Sequence, residues 1–289
     1  MEIIKGIEEM SHLAGSLKRD NKSIVFVPTM GYLHDGHLNL IREGKKRGDI
    51  LIVSIYVNPI QFNEKSDFES YPNDLTRDIE LLKGESCHIL FLPTSDSMYP
   101  SGFQTALAID DLSKGMCGDS RPGHFNGVAT VVAKLFNIVK PDIAIFGEKD
   151  YQQLAIIRRM VSDLNFDVEI VGIPTVREED GLAMSSRNVR LNAEERKWSL
   201  SLSKALFKGK EMYKAGTISA VLLIEIVKRE IVDSIKVDYV EIRDAYSLLA
   251  TKEIKKEAVL AIAARVGNTR LIDNIILKEE KIAENNVEI

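Results

Sequence analysis

The feature that most constrains this chain is an alternation. Short β-branched apolar runs, Ile24–Val27, Ile50–Val57, Ile89–Leu92, Ile143–Phe146 and Val168–Val171, recur along it. Between them lie Leu38–Lys46, Leu75–Leu82, Val128–Val139 and Leu154–Leu164, with apolar residues at three- and four-residue intervals. Continuous apolar strands need cover on both faces, and alternating strands and helices form βαβ units with parallel pairing. The expected fold class is therefore α/β, a Rossmann-like doubly wound parallel sheet.

After about Gly181 the texture changes. Asn192-Ala-Glu-Glu reads as a helix start, and Trp198, Leu202, Ala205, Leu206 and Tyr213 mark one face of the helix that follows. A second helical segment near Ile218–Val232 precedes two strands, Val237–Ile242 and Ala258–Val266. Two domains are predicted: residues 1–180 carrying the sheet and the site, and residues 181–289 forming a smaller α+β C-terminal lid domain. The charged stretch Lys278–Glu284 reads as a solvated or frayed tail.

A net charge of −5 argues against a protein whose main task is holding nucleic acid. With 45% apolar and 28% charged residues, a folded globule is expected. Cys87 and Cys117 have neither disulfide-framework density nor Cys-x-x-Cys spacing, so two free thiols in a reducing compartment are expected. The N-terminus lacks a basic start and apolar core, and no 18 apolar residues run together, so neither a signal peptide nor a membrane span is expected. A cytoplasmic enzyme is the default.

In an open parallel sheet, ligands bind beyond the carboxyl ends of the strands. Thr29-Met-Gly-Tyr-Leu-His-Asp-Gly-His37 follows the first apolar run, and Asn58-Pro-Ile-Gln-Phe62 the second. Gly147-Glu-Lys-Asp150 follows the fourth and Pro174-Thr-Val-Arg177 the fifth. Gly31 and Gly36 let backbone approach a ligand, and a helix beginning near Gly36 would aim its N-terminal partial charge at phosphate. His34 and His37, three apart, can face one point and stabilise charge developing on an α-phosphate. No third ligand stands at zinc spacing beside them. Neither a Gly-x-x-x-x-Gly-Lys-[Ser/Thr] loop nor a Gly-x-Gly-x-x-Gly occurs. Lys149 suits a phosphate oxygen, Gln61 and Gln153 suit a small polar acid, and Met184-Ser-Ser-Arg187 offers a second grip on a triphosphate. His12 and His88 read as structural. For His124, in Arg121-Pro-Gly-His-Phe-Asn-Gly127, a rigid helix entry and a loop placing Arg121 near the site both stand open.

Taken together, Pro28–Leu40, Val57–Phe62, Arg121–Val132, Phe146–Leu154, Gly181–Asn188 and Thr269–Asn274 resemble the pantothenate synthetase family, in that family's order and over residues 24 to 274. The first of these motifs is shared with the wider nucleotidyltransferase superfamily and class I aminoacyl-tRNA synthetases. The resemblance implies a two-step ligation with ATP and Mg²⁺: pantoate takes the adenylyl group with release of pyrophosphate, and β-alanine then displaces AMP to give pantothenate. It implies ATP binding by Met30, Gly31, Tyr32, Leu33, His34, Asp35, Gly36 and His37, with His37 as proton donor, His34 its companion and Lys149 the third catalytic group. Gly147, Glu148, Lys149, Asp150, Val176, Met184, Ser185, Ser186 and Arg187 complete the nucleotide site. Gln61, Gln153, Asn58 and Arg121 serve the substrates, Asp78 stands near Mg²⁺, and the enzyme is a homodimer binding neither nucleic acid nor membrane. Tyr32, Asp35, Ile60 and Asn73 depart from the family's usual residues, and only local contacts at Asn73 are put in doubt. Two other readings compete, a nucleotide adenylyltransferase and a catalytically silent nucleotide-binding regulator. The paired glutamines argue against the first, the intact histidines and Lys149 against the second.

Overall fold

In the computed structural model, which describes residues 1–279, the chain forms two compact units, Met1–Asn192 and the remainder from Ala193. The first holds a six-stranded parallel sheet of β1 (Glu2–Ile4), β2 (Ile24–Thr29), β3 (Ile50–Ile55), β4 (Ile89–Phe91), β5 (Ile143–Gly147) and β6 (Glu169–Ile173). Their order across the sheet is β1-β4-β3-β2-β5-β6. Successive residues of the central strands alternate between two cores. Ile24, Phe26, Ile52, Phe91 and Ala144 belong to one, packed with the helices Ile7–Arg19 and His124–Val139. Val25, Val27, Leu51, Val53, Leu90 and Ile145 belong to the other, with Leu38, Ile41 and Leu82 of the helices Asp35–Lys45 and Leu75–Gly84. Both faces are thus dry, which explains why the strands read as unbroken apolar runs. The short edge strand β1 and the helix Ile7–Arg19 are additions to the sequence reading.

From β2 the chain winds outward to β3 on one side, and β5 lies on the other. The sheet's topological switch point therefore falls between β2 and β5, where loops leave in opposite directions and open a crevice.

The second unit pairs β7 (Lys236–Asp244), β8 (Ala258–Val266) and β9 (Thr269–Leu277) as an antiparallel sheet in that order. The helices Ala193–Lys214 and Ala220–Glu230 pack on it, and β8, in the middle, is buried along nearly its whole length. β9 extends the expected pair of strands to three. Residues 181–192, assigned by sequence to the second domain, belong with the first. The Asp180-Gly181 turn is the reason. Gly181 N–H donates to Glu178 O at 2.8 Å and Glu178 N–H to Leu182 O at 2.8 Å, while Arg177 bridges to Ala183. The turn folds the chain back on β6's exit instead of handing it to a new body. The expected tail from residue 280 to 284 lies outside the described residues. Among the described residues no helix is long and apolar enough to cross a membrane.

Candidate active site

Thr29, the last residue of β2, begins the site. Its hydroxyl donates to Ser54 O at 2.8 Å and accepts Gly31 N–H at 3.2 Å, fixing where the chain leaves the sheet. Gly31 has φ +82°, and a Cβ there would meet Ile55 Cγ2 at 2.9 Å, so the turn requires glycine. Tyr32 follows with φ +50°, an unusual conformation for a bulky residue. It is held there by Asp78, whose Oδ2 and Oδ1 accept the N–H groups of Tyr32 and Leu33, each at 2.7 Å. Arg77 lies over the Tyr32 ring at 5.3 Å. Leu33 is fully buried in the core.

The loop then enters the helix Asp35–Lys45 with His34 as its N-cap. His34 Nδ1 accepts Gly36 N–H at 3.2 Å, and His37 Nδ1 accepts His34 N–H at 3.3 Å. Each ring thus uses Nδ1 as an acceptor, so each neutral imidazole carries its proton on Nε2. Burial, and then the Lys149 charge, bring the His34 pKa down to about 4. Burial, followed by His34 and Lys149, holds His37 well below its ordinary value. Two neutral Nε2–H donors therefore stand at a helix N-terminus, a setting made for phosphate oxygens.

Around them opens one cleft at the carboxyl ends of β2, β3, β5 and β6, with about 1280 Å³ between its walls, mouth included. Met30, His34, Gly36 and His37 form one side. Gly147, which ends β5, and Lys149, Asp150 and Gln153, which follow it, form the opposite side, and Asn58 and Gln61 enter from the end of β3. Val176 comes from the end of β6, and Met184, Ser185, Ser186 and Arg187 return to it because Met184 N–H donates to Val176 O at 3.0 Å. Arg187 Nη2 donates to Asp67 Oδ2 at 3.0 Å, and its guanidinium lies over the Tyr71 ring at 5.6 Å. Ser186 Oγ donates to Tyr32 O at 3.3 Å, joining this segment to the first loop. Val128, Val131 and Val132 supply an apolar wall.

Gly31, Tyr32, Leu33, Asp35 and Glu148, expected at the nucleotide, do not line the cleft. Tyr32 and Leu33 instead shape the loop through their bonds to Asp78. Asp78, expected beside magnesium, is buried and has both oxygens on backbone N–H groups. Among the described residues no three His, Cys, Asp or Glu side chains converge as a metal-ion set. Magnesium in nucleotide sites is commonly held by one or two carboxylates and the substrate's phosphates rather than by a protein cage.

Arg121 and His124 lie one layer back from the cleft. His124 is buried, its Nδ1 2.7 Å from Gln61 O and its Nε2 3.1 Å from Arg121 Nη1. Burial, then the Arg121 charge, brings its pKa down to about 4, so the neutral ring donates from Nδ1 and accepts at Nε2. Gly127, one turn on, lets the helix touch the same loop: a Cβ there would stand 2.6 Å from Ile60 O and 2.8 Å from Gln61 Cα. Both features left open for this segment are present: a helix begins at His124, and Arg121 Nη2 donates to Gln61 O at 3.4 Å, behind the cleft. His88 is structural, accepting Leu51 N–H at 2.9 Å. Gln152, beside Gln153 in sequence, is buried and holds Cys117 N–H, Leu112 O and Gly115 O. Sequence reasoning missed Tyr56, Tyr71 and the apolar wall of Val128, Val131 and Val132, all of which line the cleft, and Asp67, which reaches it through Arg187. The Tyr-Pro pair at residue 71 was the one available signal.

The cleft thus gathers His34, His37, Lys149, Gln61 and Gln153 at the switch point of the sheet. The pantoate-beta-alanine ligase family model matches residues 2–276. The chain is 55% identical to the pantothenate synthetase of Sulfurihydrogenibium sp. over 95% of its length and 99% of that protein's. It is 52% identical to that of Syntrophotalea carbinolica, over 97% and 100%. The crystal structure of pantothenate synthetase from Thermus thermophilus superposes with a TM-score of 0.91 at 42% identity, covering 96% of this chain and 100% of that one. Pantoate-beta-alanine ligase from Francisella tularensis, complexed with beta-gamma ATP and beta-alanine, gives 0.80 at 33% identity, covering 96% and 97%. With sequence and fold agreeing over nearly the whole length, the chain belongs to the pantoate–β-alanine ligase family, enzymes that join pantoate and β-alanine into pantothenate.

Proposed function

We propose that this chain joins the two substrates at the cleft just described, by adenylyl transfer followed by amide formation. The observation that supports the chemistry is the pair of neutral Nε2–H donors, His34 and His37, on a helix N-terminus facing Lys149 across the switch point. ATP enters with its phosphates against that helix. A pantoate carboxylate oxygen attacks the α-phosphorus, and the bond to the β-phosphate oxygen breaks to release pyrophosphate. Charge accumulates on the phosphate oxygens in this step, and preformed donors with a fixed cation stabilise it without reorganising. Arg187, held by Asp67 and Tyr71, grips the outer phosphates. Gln61 and Gln153 hold pantoate with its carboxylate in line. In the second step the β-alanine amine attacks the acyl carbon, and AMP leaves with the electron pair of the former acyl–oxygen bond.

A magnesium ion would be held largely by the triphosphate, as is common in nucleotide sites, and would neutralise part of its charge. The same reading makes the working enzyme a cytoplasmic homodimer, whose mass sedimentation would report. Supplied with ATP, pantoate and β-alanine, the enzyme should yield AMP, pyrophosphate and pantothenate in equal amounts. ADP and phosphate as primary products would overturn the reading.

A further inference from the structure

A hydrogen-bond chain runs from Gln61 away from the cleft. Tyr99 Oη donates to Asn58 Oδ1 at 2.8 Å. Asn58 Nδ2 donates to Gly127 O at 3.2 Å and to Gln61 Oε1 at 2.9 Å. Gln61 Nε2 is left facing Met30 Sδ at 3.3 Å, on the wall of the cleft. Asn58 is 1% exposed and Gln61 8%.

The polarity of this chain is fixed at both ends. The Gly127 carbonyl can only accept, so the Asn58 atom beside it is the nitrogen. The opposite end of that amide is then an oxygen, and it needs a donor because it is buried. Tyr99 supplies one, and burial pushes its phenol up, so the proton stays on through the physiological range. The second hydrogen on Asn58 Nδ2 then turns Gln61 Oε1 inward. What Gln61 shows the cleft is its NH₂ group, with only a weak thioether acceptor nearby. A carboxamide held this way reads an oxygen acceptor on the ligand and discriminates against one that offers only a donor.

We propose that Tyr99 is a positioning residue for recognition of the acid: through Asn58 it holds Gln61 with its amide nitrogen toward the substrate. The inference rests on the reading that Gln61 binds pantoate. The Tyr99 ring sits at 5.1 Å from the Phe103 ring and 6.5 Å from that of Tyr56, with Lys134 Nζ 5.9 Å from its centroid. Tyr99→Phe keeps all of this packing and removes only the hydroxyl, while Asn58→Asp keeps the shape but removes the donors to both Gln61 and the Gly127 carbonyl.

Steady-state kinetics of Tyr99→Phe, Gln61→Ala and the double variant, beside thermal melts, test it. Loss of one buried hydrogen bond should raise the pantoate KM of Tyr99→Phe roughly three- to tenfold, with kcat, the ATP KM and the melting temperature near parental. Asn58→Asp should raise the pantoate KM further. In the Gln61→Ala background, Tyr99→Phe should add nothing, because no carboxamide remains to be placed. A parental pantoate KM for Tyr99→Phe beside a raised one for Gln61→Ala overturns the role of Tyr99 and spares that of Gln61. A parental value for Gln61→Ala overturns both. Equal rises in the ATP and pantoate KM with a lowered melt make Tyr99 a packing residue and nothing more.

Discussion

The rings of His34 and His37 stand 4.1 Å apart, centroid to centroid, tilted by 40°. Two imidazolium cations would not sit so close. The pair is built to be neutral, each Nδ1 satisfied by backbone and each Nε2–H left as a donor. Replacing either by alanine should slow adenylate formation by roughly 10²- to 10⁴-fold, the range of acid–base and electrostatic groups. Single-turnover measurement of pantoyl-adenylate checks this beside a thermal melt, and a near-parental rate would refute it.

The same depressed pKa values give a pH dependence with a definite sign. His34 titrates near 4 in the folded chain against 6.5 for a free imidazole, and His124 also near 4. Between those values the unfolded chain binds more protons than the folded one, so stability rises with pH through the window. The contribution is complete above 6.5 and is lost as pH falls toward 4. Thermal melts from about pH 7 to about pH 4.5 should show the midpoint dropping, and His34→Gln, which cannot titrate, should flatten the slope. An identical slope would remove His34 from the account.

Asp78 should act on the nucleotide through the loop it holds. Asp78→Asn turns an N–H donor toward the backbone N–H of Tyr32 or Leu33, and the ATP KM should rise roughly tenfold, the worth of one hydrogen bond to a charged group. If Asp78 were a magnesium ligand, raising the magnesium concentration would restore the variant. The geometry predicts that it will not.

Arg187 is held from two sides, by the Asp67 carboxylate and the Tyr71 ring. Arg187→Ala should raise the ATP KM roughly 10- to 100-fold, and Arg187→Lys should recover little, because an ammonium neither stacks on the ring nor forks toward a phosphate. Calorimetric titration with an unreactive ATP analogue gives the same comparison without turnover. Full recovery by lysine would mean that charge alone matters there.

Much of the fold was legible because burial on both sides leaves its mark in sequence: Ile24–Thr29, Ile50–Ile55 and Ile143–Gly147 are apolar almost throughout. The edge strand Glu2–Ile4, three residues long, carries too little pattern to read. Asp180-Gly181 reads as a joint between domains because a turn inside a unit and a turn between units have the same residues. At the site, the groups placed directly by strand ends were legible: His34, His37, Asn58, Gln61 and Lys149. The groups that act at a distance were not. Asp67 meets Arg187 across 120 residues, and Tyr99 meets Asn58 across 41, and no local spacing encodes such contacts.

The central claim is that ATP is attacked at its α-phosphorus by pantoate before β-alanine takes part. Isotope exchange between pyrophosphate and ATP isolates that step. The account predicts exchange that requires pantoate, proceeds without β-alanine, and collapses in His37→Ala. Exchange that needs no pantoate, or that begins only when β-alanine is added, would contradict it.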